Sequence, residues 1–306
     1  MPLQSMISEL KKAQREQYAV PLFNFCEMTA VEGIVAALEE RKAPGILGIY
    51  THLIDDRKIG AYVSFVREIC KDVTVPVSLM LDHGTSFEQC MRALAFGFTD
   101  VMLDGSKLPL DENIAANRIV VRAAHAVGAG VEAEVGHVGS GQEYTAFGSQ
   151  RRGFTDPAEA ERFVAESGVD CLAVAFGTAH GVYQGEPRLD LELVQTIRER
   201  VEVPLVLHGG SGLSEAQFTG SIDAGIAKIN IGTDLVLAST KKMQDAAGKS
   251  GSDYHKIIQG AREAHYERCL YYLDLFRTSG KAAQQQSKQA FMNGGKGEKH
   301  AEHAGC

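Results

Sequence analysis

Short and almost wholly apolar runs recur along the chain, each followed by a longer segment whose apolar positions fall three and four residues apart. The runs Ala19–Phe25, Pro44–Tyr50, Val75–Leu81, Asp100–Asp104, Gly130–Val135, Cys171–Phe176, Pro204–His208 and Ala227–Ile231 read as strands. Val75–Leu81 lacks the apolar-polar alternation of a half-exposed strand, so both its faces are expected to be buried, as in parallel sheets. Helical spacing covers Leu3–Gln17, Met28–Arg41, Ile59–Cys70, Ser86–Phe96, Asp111–Val127, Asp156–Ser167, Leu191–Arg200 and Ser214–Gly225. Eight strands in regular alternation with helices predict a (β/α)8 barrel, an α/β TIM barrel, rather than an open doubly wound sheet. The expected single domain spans 1–282. Residues 283–306, rich in Gln, Lys, Gly and His with few large apolar side chains, are expected to be a disordered tail.

Composition narrows the partners. With 306 residues, 44% of them apolar, the chain can bury a large core, and its net charge of -8 opposes nucleic acid or an anionic membrane as the main partner. A local basic pocket for a phosphate remains compatible with that balance. The six cysteines are scattered without a C-x-x-C pair, which fits free thiols in a reducing compartment. The first residues lack a signal-type apolar core and no run is long enough to cross a bilayer, so a cytoplasmic protein is expected.

In a barrel of this kind the carboxyl ends of the strands share one mouth, where chemistry is sited. The polar residues at those ends are Asn24, Tyr50 with Thr51, Asp82 with His83, Asp104, Glu132 with Glu134, His180, His208 and Asn230. Three of them are histidines followed by glycine: His83-Gly84, His180-Gly181 and His208-Gly209. Three imidazoles match the ligand set of a catalytic zinc that keeps one position open. A histidine taken singly is more often a surface or hydrogen-bonded residue. Asp82 reads either as a helix cap or as a carboxylate that exchanges a proton with substrate. Asp104 and Glu134 read as partners of the ligands, as ligands of an alternative metal position, or as caps. The segments His208-Gly209-Gly210-Ser211-Gly212 and Asn230-Ile231-Gly232-Thr233-Asp234 leave the last two strands, where barrels commonly seat a phosphate on backbone N–H groups.

Five ordered motifs resemble the class II, metal-dependent ketose-bisphosphate aldolases, especially the tagatose- and fructose-bisphosphate enzymes: Leu81-Asp82-His83-Gly84, Val131-Glu132-Ala133-Glu134-Val135-Gly136, Gly177-Thr178-Ala179-His180-Gly181, Leu207-His208-Gly209-Gly210-Ser211-Gly212 and Lys228-Ile229-Asn230-Ile231. The resemblance implies a lyase that cleaves a ketose phosphate to dihydroxyacetone phosphate and an aldehyde, with glyceraldehyde 3-phosphate as the default. It implies that His83, His180 and His208 bind Zn2+, with Asp104 and Glu134 also at the metal, and that zinc stabilises an enediolate. Asp82 becomes the proton donor and acceptor for the C4 hydroxyl. Substrate is held by Asn24, Gly181, Gly209, Gly210, Ser211, Asn230, Ile231, Gly232 and Thr233. A monovalent cation (Na+ or K+) near the phosphate and a homodimer or homotetramer belong to the same implication.

The chain departs from the family pattern at two places. Tyr50 and Thr51 stand where a small Ser or Thr is usual, and the loop after strand 5 reads Gly139-Ser140-Gly141-Gln142-Glu143-Tyr144, which places the second catalytic acid, Glu143, one position late. Arg151 and Arg152, further along that loop, read as solvated or as contacts for a second anionic group. Two rival readings remain open: a Schiff-base aldolase on Lys228, which shares a strand face with Asn230, and a catalytically silent barrel that binds sugar phosphates. His300, His303 and Cys306 in the tail read as solvated.

Overall fold

The computed structural model describes residues 3–141, 153–250 and 253–282. Within them the strands are β1 (Val20–Asn24), β2 (Gly45–Tyr50), β3 (Val77–Gly84), β4 (Asp100–Leu103), β5 (Gly130–Val135), β6 (Gly139–Ser140), β7 (Cys171–Val174), β8 (Ala179–His180), β9 (Leu205–Leu207) and β10 (Ile226–Ile231). Eight of these close a parallel barrel in the order β1-β10-β9-β7-β5-β4-β3-β2, while β6 and β8 pair with each other as a separate parallel ladder. The expected (β/α)8 architecture is therefore the observed one.

Strand periodicity sorts side chains between two cores. On β5, Val131, Ala133 and Val135 join the large apolar layer between barrel and helices, and the alternate residues Glu132 and Glu134 are buried inside. The starts of the strands contribute Val20, Leu22, Ile46, Met80, Met102, Ala173 and Val206 to a second cluster, which Met6, Leu10 and Ala13 seal from below. Those last residues belong to the segment around the first helix, Ile7–Glu16, which plugs the amino-terminal end of the barrel. Its approach is fixed by Asp100, whose carboxylate accepts hydrogen bonds from Ser5 Oγ (2.6 Å), Met6 N (3.2 Å), Thr99 Oγ1 (3.1 Å) and Ser78 Oγ.

Helix starts follow local chemistry. Ser86 accepts from Gln89 N ahead of Phe87–Phe96, Asp156 accepts from Ala158 N and Glu159 N ahead of Pro157–Ser167, and Ser214 with Gln217 forms a reciprocal capping box. Beyond β10 the chain continues into two long helices, Thr233–Ser250 and Tyr254–Leu275, which the strand-counting pattern did not anticipate. The second packs on helix Met28–Arg41, where a Cβ added at Gly33 would lie 2.4 Å from Arg262 O, so the close crossing requires glycine.

The strand that carries the first histidine motif also runs further than its apolar run suggests. β3 extends through Asp82, His83 and Gly84, its register with β4 shifts between Leu81 and Gly84, and His83 takes a left-handed φ of 54°. A non-glycine residue in that region costs free energy and is tolerated where surroundings hold it. Here the irregularity turns the His83 imidazole into the barrel mouth beside Asp82, as bulges near active sites commonly do.

Candidate active site and metal centre

Three imidazoles meet at the mouth. The His83 and His208 ring centres are 4.6 Å apart, His83 and His180 4.8 Å, and His180 and His208 5.8 Å. One nitrogen from each lies within 4.8 Å of the others. The three arrive from β3, from β8, and from the residue after β9. The glycine after His208 is structurally required, because Gly209 has φ +70° and an added Cβ would stand 2.3 Å from Ala179 O.

The hydrogen bonds around the rings leave one side of the cluster bare. His83 Nδ1 donates to Asp104 Oδ2 at 2.9 Å, and His208 Nε2 donates to Glu132 Oε1 at 2.8 Å. Each bond fixes a tautomer whose other nitrogen is a lone-pair donor. Among the described residues, His208 Nδ1, His180 Nε2 and Glu134 Oε2 are buried without a hydrogen-bond partner, the first and last of them 3.5 Å apart. Each such atom costs on the order of 1–3 kcal/mol if nothing binds it. The three clustered imidazoles, two with a bare nitrogen, form a donor set that fits a divalent metal ion of the zinc type, with the bare Glu134 oxygen beside His208 Nδ1. A second grouping, His83, Asp104 and Glu134, also brings ligand atoms within 4.8 Å and shares His83 with the first.

Electrostatics sharpen that picture. Burial and the neighbouring His83 and His208 push His180 down to about 3, and burial likewise lowers His208. His83 moves the other way: burial would lower it, but the carboxylates of Asp82, Asp104 and Glu134 outweigh that and raise it to about 9. Glu134 rises to about 8 through burial and the charge of Asp104. Asp104 is itself held well below the usual carboxylate range: burial would raise it, but the bond to His83, the charge of His83 and the bonds from Ser106 together outweigh that. Two imidazoles are thus held neutral, whereas His83 and the Glu134 carboxyl hold protons that a bound cation would displace.

Asp82 stands beside His83 on β3 with both oxygens occupied. Asn24 Nδ2 donates to Oδ2 at 2.9 Å and Asn230 Nδ2 donates to Oδ1 at 3.1 Å, while His83 Nε2 is 3.9 Å from Oδ1. It does not cap the following helix, a task that falls to Ser86. A cavity of about 570 Å³ opens over these groups and is lined by Asn24, Asp82, His83, His180, Gly181, Gly209, Gly210, Ser211, Asn230, Gly232 and Thr233 among others. The start of helix Thr233–Ser250 faces it, with Asp234 N bonded to Ser211 Oγ at 3.1 Å. Of the residues expected to hold substrate, Ile231 alone turns its side chain away into the outer core, leaving only its backbone for such a task. Glu143, Gln142, Arg151 and Arg152 lie outside the described residues.

The fold gives contacts to two strand-end residues that the sequence named without a definite role. Glu132 binds both His208 and Lys228, and its inward orientation could have been read from the two-residue spacing to Glu134. Tyr50 sets its ring 5.7 Å from that of His83 and 5.5 Å from that of His52, at the cavity rim.

Comparison with known proteins agrees with the motifs. The family described as "Fructose-bisphosphate aldolase class-II" matches residues 4–281. The fructose-bisphosphate aldolase of Geobacillus stearothermophilus is 41% identical over 291 residues, covering 93% of this chain and 100% of the relative. A 6-phospho-5-dehydro-2-deoxy-D-gluconate aldolase of Halalkalibacterium halodurans is 40% identical over 289 residues, covering 92% and 99%. Among solved structures, the YdjI aldolase of Escherichia coli K12 superposes with a TM-score of 0.82 at 34% identity, covering 92% of this chain and 99% of that one. The chain belongs to the class-II fructose-bisphosphate aldolase family and is an aldolase, a carbon-carbon lyase.

Proposed function

We propose that the chain reversibly cleaves a ketose (bis)phosphate to dihydroxyacetone phosphate and an aldehyde, glyceraldehyde 3-phosphate by default, with Zn2+ held by His83, His180 and His208. The observation that carries this reading is the convergence of three imidazoles, two of them with a bare nitrogen, beside a fixed carboxylate. When bound, the ion supplies Lewis acidity to the substrate oxygens and so lowers the cost of the enediolate charge. Asp104 and Glu134 serve the metal as orienting partners, and through their grouping with His83 as an alternative resting position.

The remaining steps belong to the chain's own side chains. Asp82, aimed by Asn24 and Asn230, takes the C4 hydroxyl proton as the C3–C4 bond breaks and returns it in condensation. The ketose phosphate group lies on the backbone of Gly181, Gly209, Gly210, Ser211, Gly232 and Thr233, where glycine flexibility and a helix N-terminus favour an anion. Glu143 is the proposed acid for the enediolate. A monovalent cation beside the phosphate and a homodimeric or homotetrameric assembly are part of the proposal on family resemblance.

Lys228 is less suited to a Schiff base. It is fully buried, makes an ion pair with Glu132 at 2.8 Å, and is absent from the residues that line the cavity. A coupled assay across ketose phosphates, fructose and tagatose bisphosphates first, tests the reaction. Activity lost to a chelator and restored by Zn2+ supports it. A borohydride-trapped lysine adduct with undiminished activity in chelator overturns it.

A further inference from the structure

The Glu132–Lys228 pair sits in the barrel interior beneath the site, with both side chains completely buried. An ion pair sealed from water gains little stability over an apolar pair of equal volume, so its presence invites another explanation. Each partner has a second contact, and each of those contacts falls on a residue of the site. Glu132 Oε1 accepts from His208 Nε2 at 2.8 Å, and Lys228 Nζ donates to Asn230 Oδ1 at 2.7 Å.

We propose that Glu132 and Lys228 form a positioning device that locks two site side chains in their working orientation: the tautomer of His208 and the amide flip of Asn230. The argument is one of donor and acceptor type. A lysine ammonium only donates, so it admits only the carbonyl oxygen of Asn230, and the amide NH2 must then face the other way. There it donates to Asp82 Oδ1 at 3.1 Å. Were the amide reversed, its oxygen would confront the Asp82 carboxylate and its NH2 would confront the ammonium. A carboxylate at Glu132 only accepts, so it holds the His208 proton on Nε2 and leaves Nδ1, the bare nitrogen, toward the cluster. Asn230 Nδ2 lies 3.3 Å from His208 Nε2, and since both nitrogens bear protons this is a packing contact and not a hydrogen bond.

The strand pattern explains why these four residues can act together. Lys228 and Asn230 are two apart on β10, hence on the same inward face, and Glu132 occupies the matching inward face of β5 across the barrel. Lys228 thereby acquires a role distinct from a nucleophile: it works through Asn230 on Asp82. This inference rests on the proposed roles of Asp82 and the three histidines, and its test is separable from theirs.

The experiment is a double-mutant cycle on turnover, with bound zinc measured in each protein. Lys228→Met is expected to lower kcat by roughly 10–100-fold at unchanged zinc content, the usual cost of removing an orienting partner. Asn230→Ala is expected to lose activity as well, and Lys228→Met added to it to cost nothing more, because the residue it acts through is gone. Lys228→Gln, which retains an N–H donor, is expected to recover part of the loss. Penalties that multiply in the double variant overturn the link from Lys228 to Asn230. Glu132→Gln reads the other half and serves if Lys228→Met does not fold: its zinc affinity should fall roughly 10–100-fold with kcat largely regained at saturating zinc, and wild-type zinc affinity in this variant overturns the lock on His208. Asp82→Asn with full turnover removes the underlying reading instead, independently of either result.

Discussion

The floor and the mouth of the barrel both enclose buried carboxylates, and they treat them oppositely. At the floor Asp100 receives four hydrogen bonds, from Ser5, Met6, Ser78 and Thr99, and helix Ile7–Glu16 closes over it. At the mouth Glu134 Oε2, His180 Nε2 and His208 Nδ1 have no hydrogen-bond partner among the described residues, and His83 sits at a φ of 54°. Burial raises the pKa of Asp100 and Glu134 alike, but only Asp100 has that cost offset by a complete shell of donors. Among the described residues the floor has a buried orphan of its own in Tyr18 Oη, but only at the mouth do orphaned atoms of several ionisable side chains gather beside one another. The incompleteness at the mouth therefore marks where a ligand completes the structure, whereas the floor is a matter of stability alone.

The largest test of that division is Asp82→Asn. Turnover should fall by about 10²–10⁴-fold, the range for losing a general acid-base group, while zinc content stays at the wild-type level by metal analysis. Gly209→Ala comes next. Its Cβ would meet Ala179 O at 2.3 Å in a left-handed backbone, so the loop must move, and roughly tenfold or greater loss of kcat/KM on a phosphorylated ketose is expected, with a lowered Tm.

Acidity distinguishes the two ends without mutation. In the metal-free protein His83 keeps its proton to about pH 9 and Glu134 to about pH 8, against ordinary values of 6.5 and 4.5. Between pH 7 and 9 the native state consequently holds more protons than the unfolded chain, and its stability falls as pH rises through that window. His180 and His208, both lowered, are neutral in either state above pH 7 and do not oppose the trend. Thermal melts should show metal-free protein losing several degrees between pH 7 and 9, the zinc-loaded protein losing much less, and zinc uptake at pH 7 releasing protons in a pH-stat. A metal-free Tm that climbs across the window contradicts the assignment. The smallest effect belongs to the floor: Asp100→Asn should cost about 1–3 kcal/mol of stability by denaturant melt and leave kcat unchanged.

The barrel was legible because its strands are buried on both faces and its helices are amphipathic, a contrast that survives in any linear reading. Two long helices after β10 were not, because helix Thr233–Ser250 starts inside the glycine-rich stretch that reads as a phosphate loop, with no break to announce it. The histidine motifs were legible through their glycines and their places at strand ends. Glu132 was harder, since a glutamate two residues before another is unremarkable until the barrel closes around both. Tyr50 was noticed as a departure, but only the fold shows its ring against His83.

The sequence by itself determined the order of the eight barrel strands and the helices between them, the family, and the small set of groups able to do chemistry, because these depend on periodicity and residue type. The tertiary structure alone decided which nitrogen of each imidazole is bare, which carboxylate is aimed by amides and which sits among other carboxylates. Those distinctions turn on contacts between residues as far apart as Glu132 and Lys228 or Asp82 and Asn230. Barrel closure makes neighbours of them, and the direction of a hydrogen bond or the sign of a pKa shift exists only once the neighbours are in place.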